Sequence, residues 1–164
     1  SNPLNYLGPI TKDPMLSLQP MHQIEVMPQG TPSNVIGGAE FVFSYRHDDF
    51  GIPERGIRAV PTTSDPTAQL AYSRTDQGDG TTLLKVTITN PNGFLQTNVR
   101  DPQLMKGMSP FRSLGFILVW DDAYGGGIVN EANWQTSIQL LSSSYVDING
   151  VPMAELTATM AMVN

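Results

Sequence analysis

The chain contains no cysteine. Disulfides, thiolate metal sites and thiol nucleophiles are therefore excluded. Charge is also scarce. Asp, Glu, Lys and Arg make up 15% of the 164 residues, against roughly 25% in an average globular domain. Ser, Thr, Asn, Gln, Gly and Pro fill the deficit. A surface poor in charge is easily buried against a neighbour, because charged residues are depleted from interface cores. Basic charge is the scarcer sign, with nine Lys plus Arg against fifteen Asp plus Glu, and it never forms a run. That argues against electrostatic binding of a phosphate backbone and against docking on an anionic membrane surface. The longest apolar run, Phe116 to Trp120, is far too short to cross a bilayer.

Helical periodicity is nearly missing as well. The best candidate lies in "SDPTAQLAYS", where Ser64 or Asp65 could cap and Pro66 could take the first helical position. A strand over Gln69 to Arg74 competes and is preferred, because it would pair with 81–89 across a glycine-containing loop. One helical turn before Gly107 is the other candidate.

What the chain has instead is a period of two. Ile24 and Val26 alternate with Gln23, Glu25 and Met27. Phe41, Phe43 and Tyr45 share one face, as do Leu84, Val86 and Ile88. Trp134, Thr136, Ile138 and Leu140 alternate with Gln135, Ser137 and Gln139, and Leu156, Ala158, Met160 and Met162 with Thr157, Thr159 and Ala161. This alternation marks half-buried antiparallel strands. "LGFILVW" is apolar on both faces and reads as a central strand. "TDQGDGTT" at 75–82 is a strand connection, and Asn149-Gly150 is a hairpin signal, since both residues can take positive φ. Pro152 places the strand there at an edge or delays its start.

Residues 1–22 are different. Four prolines break any helix or central strand, yet Leu4, Tyr6, Leu7, Ile10, Met15, Leu16 and Leu18 are too apolar for a disordered tail. The segment reads as an extended arm that must bury these groups on its own domain or on a neighbouring subunit. The expected architecture is all-β: a single antiparallel β-sandwich of about eight strands over 23–164, jelly-roll or immunoglobulin-like, preceded by this Pro-rich arm.

Chemistry is hard to place. With only His22 and His47, and no Gly-x-Ser-x-Gly elbow, a hydrolase triad has no sequence support. His47, Asp48 and Asp49 form one acidic group. Asp76 and Asp79 vaguely resemble a calcium loop but lack its further acidic positions, and Asp and Gly belong in turns for backbone reasons. Glu40, Asp121, Asp122, Glu131 and Glu155 could supply a glycosidase pair only if two of them converged. Gly125 to Gly127 is not a phosphate loop, since no Gly-Lys-Ser/Thr follows. The best ligand constellation is "VWDDAYGGGIVNEANW", where Trp120, Tyr124 and Trp134 bracket Asp121, Asp122 and Asn130. Exposed aromatics beside such polar groups bind sugars. The competing reading puts both tryptophans in the core. The glycines favour an exposed 121–132 loop that contacts a partner over a preorganised chemical site.

These features predict a non-enzymatic structural subunit without cofactor or metal. It would assemble with its own copies or with other subunits of a virus or phage particle, without direct nucleic-acid contact and without membrane insertion. The alternative expectation is an extracellular or cell-surface carbohydrate-binding or adhesion module.

Overall fold

A computed structural model describes residues 6–9, 21–50, 57–61, 66–94, 116–121, 129 and 132–163. Among the described residues there are nine strands: β1 (Tyr6–Pro9), β2 (Met21–Gln29), β3 (Ile36–Arg46), β4 (Arg58–Pro61), β5 (Gln69–Asp76), β6 (Thr81–Thr89), β7 (Phe116–Asp121), β8 (Ile138–Asp147) and β9 (Thr157–Val163). They form two antiparallel sheets. One has the order β1-β5-β6-β3-β8, the other β4-β7-β2-β9. The protein is all-β, as the period of two predicts.

The pairing is nested. β5 pairs β6, β4 pairs β7, β3 pairs β8 and β2 pairs β9, concentrically about the β5–β6 turn. Successive pairs alternate between the sheets. Three further pairings, β1 with β5, β3 with β6 and β2 with β7, complete the two sheets.

Side-chain alternation decides which face of each strand is buried. In β3, Phe41, Phe43 and Tyr45 are buried; in β6, Leu84, Val86 and Ile88 are. Ile24 and Val26 of β2, Ala59 of β4 and Leu118 of β7 join the same buried cluster, so both sheets contribute to one core. Each such fully buried large side chain stabilises by roughly 2 kcal/mol. Within the core, the Phe41 ring meets Tyr145 edge-on at 5.7 Å and stacks on Phe43 at 6.2 Å, geometries that add to plain area burial. Arg74, although charged, is buried, and its Nε donates to the Ile57 carbonyl at 2.8 Å, just ahead of β4.

Prolines sit where ladder bonds are not needed. Pro9 and Pro61 end the outer strands β1 and β4. Pro28 lies in the part of β2 that pairs with β9 but not with β7.

Several expectations need correction. The predicted strand from Asn133 to Leu141 starts instead with a helical turn, Trp134–Ser137. Trp134, Ser137 and Ile138 are all buried, a spacing of three and four that fits a helix, and the strand begins only at Ile138. Asn149 does not adopt positive φ; only Gly150 does, at 81°. The turn is closed by Gly150 N–H to the Asp147 carbonyl at 3.0 Å, with the Asp147 side chain bracing it. Pro152 makes an isolated bridge to Val146, and β9 waits until Thr157. β2 begins at Met21, two residues before the expected domain start, and part of the arm is itself a strand, β1, on the edge of β5. Gln69–Asp76 is a strand, as preferred over a helix. The expected turn before Gly107 lies outside the described residues.

Candidate interaction surface

The acidic and histidine groups singled out from sequence are placed mainly in loops, and their hydrogen bonds go to the fold. His47 starts a 3-10 turn (His47–Phe50) directly after β3. Its backbone N–H donates to the Gly80 carbonyl at 3.2 Å, and its Nδ1 lies 3.0 Å from Thr82 Oγ1. Asp49 is buried, accepts the Ser137 hydroxyl at 2.7 Å and has Arg46 Nε at 3.4 Å. Serine, histidine and aspartate are thus present at this end of β3, but the serine donates straight to the carboxylate while the histidine faces a threonine. A hydrolytic relay needs the imidazole between the other two. The Ser137–Asp49 bond instead ties the helical turn before β8 to the end of β3.

The turn carboxylates behave in the same way. Asp76 Oδ1 accepts the Gly78 N–H at 2.9 Å, and Asp79 Oδ1 accepts the Thr81 hydroxyl and N–H. The Thr81 hydroxyl and amide hold the Asp79 carboxyl below the usual range. Asp147 accepts the Asn149 and Val151 amides and the Asn34 side chain; the Val151 amide leads in holding it below the usual range. Glu155 accepts the Ser33 hydroxyl and amide, which lower it likewise. Glu40 faces Lys85 at 3.5 Å. Among the described residues, no group of three His, Asp or Glu is arranged to hold a metal ion. Burial pushes the Tyr145 phenol upward, so it stays un-ionised at neutral pH and cannot act as a base.

The two surfaces expected from sequence are reached only at their margins. In the 121–132 loop, Asp122, Tyr124, Asn130 and Glu131 lie outside the described residues. Asp121 ends β7, its backbone opposite Met21, and Trp120 pairs with His22. Trp134 is 7% exposed and belongs to the core, where it cannot stack on a sugar. In the arm, Tyr6 and Leu7 lie in β1 opposite Tyr72 and Ala71. Leu4, Ile10, Met15, Leu16 and Leu18 lie outside the described residues.

Beside exposed charged groups such as Arg46, Asp48 and Lys85, the described surface also presents apolar side chains. Val35, Ile148 and Val151 are exposed at one end of the molecule. The Ile148 N–H donates to the Val35 carbonyl at 3.1 Å, and both side chains overlie Gly93. The sheet edges differ from one another. β1 and β4 are four residues long, and each ends in proline. β8 is bulged, because Val42 pairs Ser142 while Phe43 pairs Leu140, and this turns Leu141 outward. The C-terminal end of β8 is also covered by its own continuation, with Asp147 N–H to the Val151 carbonyl and Met153 N–H to the Tyr145 carbonyl, both 2.9 Å. β9, "TATMAMV", has no charge, no proline and no register shift against β2.

No known protein family, no curated protein and no solved structure matches this chain. The function must be read from the surface itself. Alternation marks 154–164 as a strand but not as an edge, since it shows which face is buried and not which neighbours are present. The absence of charge from 157–163 was the available signal.

Proposed function

We propose that this chain is a non-enzymatic structural subunit of a large protein assembly, a component of a virus or phage particle, working in the virion through subunit–subunit contacts. The observation that carries this reading is the division of labour on the surface. His47, Asp49, Asp76, Asp79, Asp147 and Glu155 are bonded within turns and crossovers, while Val35, Leu141, Ile148, Val151 and an uncharged strand face outward. Charge-poor outward elements suit burial against other subunits. Within this reading the two sheets form a jelly-roll sandwich: the concentric β5·β6, β4·β7, β3·β8 and β2·β9 pairs are what a long hairpin gives when rolled up. The apolar arm would add contact with a neighbour. A sugar-binding module is the weaker reading, because Trp134, its main aromatic, is in the core.

The test is the native mass of the full chain by light scattering over a wide concentration range, followed by removal of residues 1–20, which leaves β2 whole. The full chain should form discrete oligomers, and the shortened chain should form fewer while keeping its β-type circular dichroism. A full chain that stays monomeric throughout would overturn the proposal.

A further inference from the structure

Resting on the reading of the chain as a self-assembling subunit, we infer that β9 is the edge through which it pairs with a second copy of itself, antiparallel, about a two-fold axis at Met160. Four strand edges end the two sheets among the described residues. Natural sheets blunt such edges with short strands, proline, charge, bulges or covering loops, because unpaired N–H and C=O groups recruit other strands. Three edges here carry such devices: Pro9 and Pro61 with short length at β1 and β4, and a bulge and a covering turn at β8. β9 carries none. It runs over seven residues with unbroken register against β2.

The occupant follows from charge and alternation. The chain carries a net charge of −6, so two copies repel wherever acidic surfaces meet. β9 has no charged side chain to oppose its own image. Its outward residues, Thr159 and Ala161, are exposed; Ala158, Met160 and Met162 on the other face are only half-buried although they pack on the core. Pairing centred on Met160 matches the full length of both strands. It sets Thr159 opposite the second copy's Ala161, Ala158 opposite its Met162, and Met160 opposite its Met160. Like faces then meet, because the side-chain period is two. The half-buried methionines are covered, and methionine adapts readily to such contacts. The sheet β4-β7-β2-β9 would continue across the axis into the second copy, which is an isologous interface made by strand addition.

The test compares the full-length chain with T159K/A161K and with T159K/A161E by light scattering and circular dichroism. Both positions are exposed, so both variants should fold. In T159K/A161K, lysines face each other twice across the axis, and self-association should weaken about tenfold. In T159K/A161E each lysine meets a glutamate, and association should stay near that of the unaltered chain. Retention of full association by T159K/A161K would overturn the inference and leave the structural-subunit reading standing; so would equal weakening by both variants. A monomeric unaltered chain would overturn that reading itself.

Discussion

The β5–β6 and β8–β9 connections are made from the same materials and do different work. Each places an aspartate at the end of its first strand, and each turns on glycine at positive φ. In the first, the carboxylate bonds stay inside the loop: Asp76 to Gly78, and Asp79 to Thr81. In the second, they reach across the chain. Asp147 takes the Asn34 amide and Glu155 takes Ser33, partners more than a hundred residues away in sequence. The nested pairing explains why. The β2–β3 and β8–β9 segments each pass from one sheet to the other, and because β2 lies beside β9 and β3 beside β8, the two crossovers lie side by side. One acidic turn only reverses the chain, whereas the other joins two crossovers.

Glycine substitutions should separate these roles most strongly. At Gly37, a side chain would meet the Asp147 carbonyl oxygen at 2.6 Å and the Ile148 Cα at 2.7 Å, both backbone atoms of the neighbouring crossover. Neither atom can move without opening the joint. Gly37→Ala should therefore cost about 3 kcal/mol, read as a lower urea midpoint and a melting temperature lower by roughly 10 °C. Gly78 sits at φ 80° with nothing near its missing Cβ. Gly78→Ala meets only the left-handed backbone penalty, about 1 kcal/mol, or about 3 °C. Equal losses at the two positions would mean that the crossovers are not held together as the structure has them.

The same contrast explains what the sequence could and could not reveal. Phe41, Phe43 and Tyr45, or Leu84, Val86 and Ile88, are legible because alternation is a local property of one strand. The loop with Asp76 and Asp79 is legible because its bonds are local too. The core place of Trp134 is legible but its element is not, because residues two apart include pairs four apart, a helical spacing, and only the burial of Ser137 with Ile138 separates helix from strand. The Asn149-Gly150 turn is legible as a turn, but Asp147 braces it in a geometry that uses positive φ at Gly150 alone. Glu25 breaks its strand's pattern: it lies on the face opposite Ile24 and Val26 yet is 2% exposed, which no single-strand period foretells. The candidate surface was least legible. Its meaning lies in sheet order, which makes β9 an edge and sets β8 against its own turn, and sheet order is a property of the whole chain.

The smallest expected effect is the response to acid, since Asp79 and Glu155 are exposed at turns, where solvent screens them, and Asp147, little exposed at the end of β8, is braced chiefly by backbone amides of its own turn. Each is held below its ordinary range by hydrogen bonds to its ionised form. A lowered folded-state value means that the folded form binds its proton later than the unfolded chain does. The stabilisation is fully present above the unfolded values, 4.5 for Glu and 3.8 for Asp, and is lost as pH falls through the lower folded values. Melting temperatures of the unaltered chain should therefore be flat near neutrality and decline below about pH 4.5. D147N/E155Q should be less stable than the unaltered chain at pH 7, because it replaces the charged acceptors of the joint by neutral amide oxygens, which accept more weakly, and the two curves should converge towards pH 3 as the unaltered carboxyls protonate. D79N should track the unaltered chain more closely, because Asp79 braces a turn on which no crossover depends. Parallel curves for D147N/E155Q across this window would show that ionisation of the joint's carboxylates contributes nothing to holding the two crossovers together.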